Sequence, residues 1–144
     1  MTSVKNDWAA EIGLLIYPDC QLSAIYGLTD LFRIAGEWAD GDEPRKVRIT
    51  HWRAEDHGPP ICIWDSDPGK PHRLDYIVAP PSIVMPDKMQ PMRQEAVWLQ
   101  SQHKEGSRVC SVCAGAFVLA ESGLLPGRRG TTQWAFAKQL AARY

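Results

Sequence analysis

The stretch that decides the fold is Arg108 to Trp134, RVCSVCAGAFVLAESGLLPGRRGTTQW. It opens on Val109 to Val112, a short run rich in β-branched residues, passes through Cys113-Ala114-Gly115-Ala116, and continues as the apolar helical pattern Phe117-Val118-Leu119-Ala120. A strand, a tight turn and a helix are therefore expected in succession. A side chain carried on such a turn sits on a strained backbone with the following helix packed close, so the next positions must be small. Ala114, Gly115 and Ala116 meet that requirement. The start of the helix offers Cys113 unpaired N–H groups and the positive end of the helix dipole, which favour a thiolate. Cys113 is the candidate reactive or ligand-sensing residue; the competing reading is a small structural cysteine.

Upstream, Glu11 to Tyr17 reads as a buried strand whose Ile12, Leu14, Leu15 and Ile16 supply the continuous apolar character of a central parallel strand. A loop, Pro18 to Gln21, leads to a helix with Ser23 as N-cap, Ile25, Leu28, Leu31, Phe32 and Ala35 at helical spacing, and Gly36 as its stop. After a polar linker from Asp40 to Lys46, Val47 to Arg53 alternates as a strand with one face partly exposed. Ile61 to Trp64 is expected as a short edge or hairpin strand, and Leu74 to Ala79 as a central strand ending at Pro80-Pro81-Ser82. From Asp87 the pattern turns helical, with Pro91 in the first turn and a stop at Gly106; a last helix covers Gln133 to Tyr144. Strands alternating with helices at this spacing predict an α/β, flavodoxin-like, doubly wound parallel sheet forming one domain over residues 1–144. Ligands of such sheets bind at the carboxyl ends of the strands. The loops Pro18 to Ser23, Pro80 to Ile83, the Cys113 turn and the segment around Thr132-Gln133 should converge there.

Composition narrows the function classes. Sixteen Lys and Arg against seventeen Asp and Glu give a net charge of −1, so there is no electrostatic case for nucleic acid, and Arg45-Lys46-Arg48 and Arg128-Arg129 read as solvated surface. No apolar run reaches the roughly 18–20 residues of a membrane span, and Met1 to Asp7 lacks a signal-peptide segment. A cytoplasmic protein with no membrane partner is expected. Its cysteines, Cys20, Cys62, Cys110 and Cys113, are expected as free thiols. Cys110-Ser111-Val112-Cys113 has no second pair to complete a zinc site, so neither metal nor cofactor is expected. Histidines 51, 57, 72 and 103 read as surface or partly buried residues.

The run from Cys113 to Trp134 resembles the nucleophile-elbow region of the ThiJ/PfpI superfamily, the glutamine-amidotransferase-like fold. It is most similar to the amino-terminal domain of GlxA-type, AraC-family transcriptional regulators, whose pattern C-x-G-A-x-x-L-A-x-x-G-L-L-x-G-R-x-x-T-x-H-W is matched at Cys113, Gly115, Ala116, Leu119, Ala120, Gly123, Leu124, Leu125, Gly127, Arg128, Thr131 and Trp134. IGLLIYPDCQLSAIYGLTDLFRIAG, from Ile12, matches the family's opening. The resemblance implies a domain that senses a small metabolite and forms a homodimer, with DNA contacted only by a carboxy-terminal helix-turn-helix unit that this chain does not contain. The ending inside a helical pattern implies a carboxy-terminal truncation of the usual domain.

Two positions depart from the enzymatic members. The carboxylate they carry early in the first helix is replaced by Ala24, and their T-x-H histidine by Gln133. A cysteine nucleophile needs a neighbour that moves protons, and neither an alanine methyl nor an amide does so. Asp19 is the one nearby carboxylate. Pro81 stands where many members have glycine and donates no hydrogen bond, leaving the Ser82 and Ala114 N–H groups to form an anion-binding cleft beside Cys113. The expected site is thus Asp19, Ser82, Cys113, Ala114, Thr132 and Gln133, holding a ligand without catalysis. The alternatives are a cysteine-dependent amidase, hydrolase or glyoxalase-like enzyme using Cys113, and a thiol redox sensor in which Cys113 oxidises to a sulfinate.

Overall fold

A computed structural model describes residues 8–39 and 46–144. The linker 40–45, with Arg45, and the amino-terminal residues 1–7 lie outside them. The strands are β1 (Trp8–Ile16), β2 (Lys46–Arg53), β3 (Ile61–Asp65), β4 (Tyr76–Ala79) and β5 (Arg108–Ser111), in the sheet order β3-β2-β1-β4-β5. All neighbours are parallel except β3, which runs antiparallel to β2 as an edge strand. From β1 the chain crosses to one side to form β2 and later to the other side to form β4. The topological switch point, where such sheets bind ligands, therefore lies beside β1.

Helices α1 (Leu22–Trp38), α2 (Arg93–Lys104), α3 (Gly115–Glu121) and α4 (Ala137–Arg143) cover the sheet. The core joins Ile12, Leu14, Leu15, Ile49, Ile77 and Val78 from the strands to Ile25, Trp98, Leu99, Val118 and Leu119 from the helices. β1 is buried on both faces from Glu11 to Leu15, as a central parallel strand should be.

Local readings fail in four places. The N-cap of α1 is Gln21; Ser23 lies within the first turn and accepts a hydrogen bond from Gln21 Nε2 at 3.0 Å. Gly36 does not close α1, which runs two residues further with Gly36 on its buried side, because packing outweighs the intrinsic cost of one glycine, about 1 kcal/mol. The helix expected from Asp87 splits into a 3-10 turn, Pro86–Lys88, and α2 proper, because the residue before Pro91 is held out of the helical region. Lastly, β2 has no exposed face between Arg48 and His51. Arg48, expected on the surface, is fully buried between Glu11 and Asp65, and the Thr50 hydroxyl accepts the Trp52 indole N–H at 2.7 Å.

Candidate functional site

The strand β5 ends at Ser111, and two residues later Cys113 adopts φ 53°, the left-handed region that a β-branched or bulky residue avoids. The Gly115 N–H then donates to Val112 O at 2.9 Å and the Phe117 N–H to Ala114 O at 3.0 Å, so the chain turns directly into α3. The turn presses α3 against β4. A Cβ added to Gly115 would lie 2.2 Å from Ala79 O and 2.7 Å from Pro80 O. Only glycine fits there. Cys113 is thereby raised at the carboxyl edge of the sheet on a half-buried, strained elbow.

The loops expected around it do converge. The Gln21 N–H donates to Pro81 O at 2.7 Å and the Ile83 N–H to Asp19 O at 2.9 Å, tying the β1 loop to the β4 loop through an antiparallel bridge between Cys20 and Ser82. Ser82 Oγ also donates to Asp19 O, at 3.3 Å, and accepts the Val84 N–H at 3.1 Å. On the other side, Thr132 Oγ1 donates to Cys113 O at 2.7 Å and the Cys113 thiol donates to Gln133 Oε1 at 3.2 Å. A concavity of about 440 Å³ lined by Leu125, Thr131, Thr132, Leu140 and Tyr144 adjoins the Thr132 side of the elbow. Another, of about 490 Å³ and lined by Trp8, Arg33, Lys46 and Arg48, lies at the amino-terminal ends of the strands, away from Cys113.

Not every expected residue contributes in the way its position suggested. Asp19 is held by its backbone in the left-handed region, φ 61°, and among the described residues its carboxylate makes no hydrogen bond to Cys113. Ala24 sits in the first turn of α1, with its N–H on Gln21 O. Ala114 is buried at the elbow. Among the described residues neither its N–H nor that of Ser82 finds a backbone acceptor.

Sequence reasoning missed Tyr17. Its buried hydroxyl donates to Pro80 O, and burial, followed by the nearby Cys20 and Cys113, pushes its acidity far out of reach. It is a fixed donor that braces the loop carrying Ser82. The only sequence signal was its place as the last residue of the first strand pattern.

The four cysteines are free thiols, as expected. Of the histidines, His57 is exposed and His103 Nδ1 lies 3.1 Å from Ser107 O. His51 is buried, with Nε2 2.8 Å from Thr29 Oγ1, and burial lowers its basicity. His72 pairs with Glu11.

A parallel sheet of this order, with a left-handed cysteine between strand and helix and a glycine jammed against the neighbouring strand, defines an α/β domain with a cysteine nucleophile elbow. The profile of the DJ-1/PfpI family matches residues 68–144, and the chain belongs to that family. A Streptomyces lividans protein of the cpoL 5' region is 55% identical over 40 residues, 28% of either chain. The isonitrile hydratase of Pseudomonas putida is 46% identical over 39 residues, covering 27% of this chain and 17% of that one. These matches span well under a third of the curated relatives' length. Among solved structures, a Vibrio parahaemolyticus protein described as a transcriptional regulator superposes with a TM-score of 0.61 at 17% identity, covering 94% of this chain and 72% of its own. That likeness establishes the fold. Among the described residues no helix is long and apolar enough to cross a membrane.

Proposed function

We propose that the domain senses a small molecule in the manner of the amino-terminal domains of GlxA-type, AraC-family regulators, and does so without catalysis. One observation carries the reading: the partner of the Cys113 thiol is the Gln133 amide oxygen, at 3.2 Å. An amide oxygen accepts a hydrogen bond but does not take the proton, so the contact orients the thiol and cannot generate a nucleophile. The reading is supported by the Ala114 and Ser82 N–H groups, which have no backbone acceptor among the described residues and as donors would suit a carboxylate or amide. The role is supported by the fold shared with the Vibrio protein described as a transcriptional regulator, and the resemblance implies that DNA is contacted by a separate domain. Dimerisation is supported by α1, where two i, i+4 pairs, Leu22 with Tyr26 and Ile34 with Trp38, remain exposed on either side of Asp30. A second copy would cover them.

The test is a thermal-shift screen of small carboxylates and amides. A ligand present at a hundred times its Kd should add about 2.7 kcal/mol of stability, and the gain should vanish in Gln133→Ala. No stabilising compound, or one indifferent to Gln133, would sink the proposal.

A second reading, cysteine-dependent hydration or hydrolysis, is favoured by the match to isonitrile hydratase. Assay of the chain against isonitriles, amides, esters and 2-oxoaldehydes separates the two. Turnover lost in Cys113→Ser would establish an enzyme and remove the sensing-only role.

A further inference from the structure

A second cluster of chemistry-bearing side chains lies on β3 and the loop after it, at the edge of the sheet opposite β5 and the elbow, and is independent of the reading above. We propose that Cys62, Asp65 and His72 form a binding site for a divalent transition-metal ion of the zinc class. One ligand atom from each, Cys62 Sγ, an Asp65 carboxylate oxygen and a His72 ring nitrogen, lie within 4.8 Å of one another. Tetrahedral zinc, with bonds of about 2.0–2.3 Å, holds its ligands roughly 3.3–3.7 Å apart. His72 Nε2 and Asp65 Oδ2 already stand at 3.7 Å, so small side-chain rotations close the site.

The surrounding bonds are those of a metal centre. His72 Nδ1 lies 2.7 Å from Glu11 Oε1, and a carboxylate there fixes the proton on Nδ1 and turns the Nε2 lone pair towards Asp65. A lone pair facing a carboxylate repels it unless a cation lies between them. Metal-binding histidines almost always donate their other ring N–H to a carboxylate, a backbone carbonyl or water, and here the carboxylate is in place. Asp65 is held in place by two bonds from Arg48, at 3.1 and 2.7 Å, and Arg48 is pinned by Lys70 O and Pro71 O, both at 2.9 Å. The frame is therefore preorganised, and its buried members cannot turn away.

Charge balance favours the same occupant. Glu11 and Asp65 against Arg48 leave one net negative charge in a place where Glu11 and Arg48 are fully buried. A divalent cation that displaces the Cys62 proton to solvent brings the group to neutrality. That thiol now donates to Trp64 O at 3.2 Å. A metal takes the thiolate, so binding releases one proton and strengthens as pH rises. Cys62 and His72 are partly exposed, which leaves a path for entry and a fourth position for water.

Titration of the whole chain with Co2+ tests the site. One equivalent should bind, with a thiolate-to-cobalt charge-transfer band and the intense visible bands of a four-coordinate ion. Cys62→Ser should remove the charge-transfer band, and His72→Asn should weaken binding by more than about tenfold, the loss typical even of an outer-sphere partner. Cys113→Ser should change neither. No binding, binding without a thiolate band, or a band that follows Cys113 would overturn the proposal. A parallel measurement needs no variant: Zn2+ should slow alkylation of Cys62 alone, read by mass spectrometry against Cys20, Cys110 and Cys113. Equal rates with and without Zn2+ would overturn it too.

Discussion

Replacing Gly115 with alanine puts the elbow geometry to a direct test. At an unobstructed helical position, Gly→Ala stabilises by about 0.5–1 kcal/mol. Here the new Cβ would lie 2.2 Å from Ala79 O, about 0.8 Å inside the 3.0 Å limit that real Cβ atoms respect. The obstacle is backbone that cannot give, since β4 is paired to β1 on one side and β5 on the other. Ala79 O also accepts the Val112 N–H at 2.9 Å, a bond that any outward shift of α3 stretches. Overpacking of a tight core costs about 1–3 kcal/mol and a weakened buried hydrogen bond about 1 kcal/mol more. The variant should therefore lose about 2–4 kcal/mol in urea denaturation, or roughly 5–15 °C in Tm for a domain of this length. Gly27→Ala is the control, because nothing lies within 4 Å of a Cβ at that exposed site of α1; it should gain slightly. If Gly115→Ala is as stable as Gly27→Ala, α3 does not lean on β4 and the argument for a strained Cys113 goes with it.

Further outcomes follow from the buried polar groups. Arg48→Leu, which leaves Glu11 and Asp65 without their cation, should cost about 3–5 kcal/mol by the same denaturation assay, whereas a surface arginine would cost almost nothing. His51 is less basic folded than unfolded because it is buried, so its share of stability is complete above about pH 6.5 and is lost as pH falls below it. The difference between wild type and His51→Gln should narrow on acidification, at most by about 1.4 kcal/mol per pH unit, and a constant difference would contradict the burial. Restoring the missing proton-transfer groups with Ala24→Asp and Gln133→His together should confer Cys113-dependent turnover on the amide, ester and 2-oxoaldehyde panel. Continued inactivity in a folded double variant would leave the argument from lost proton transfer without support.

The elbow was legible in the sequence because its constraints are local. A β-branched run, a cysteine, three small residues and an apolar helix admit one backbone path, and the structure follows it from Arg108 to Glu121. The central strands were legible for a similar reason, since a strand buried on both faces must be apolar along its length, as β1 shows at Ile12, Leu14 and Leu15. The convergence of the Asp19, Ser82 and Cys113 loops followed from topology, because parallel strands deliver their outgoing loops to one edge; Gln133, which follows no strand, was legible only through the family resemblance.

Tertiary structure decided the rest. Arg48 looked like solvated surface on an alternating strand and His51 like a surface or partly buried histidine, and only the fold shows that Glu11, Asp65 and Thr29 bury and satisfy them. Cys62, Asp65 and His72 have no metal-ligand spacing in sequence, for β3 and the loop after it bring them together through pairing with β2. Tyr17 was read as the end of a strand, and its bond to Pro80 O spans 63 residues. Hydrophobic period and local sterics are written along the chain, whereas the partner of a buried polar group is chosen by whichever distant element the fold sets against it.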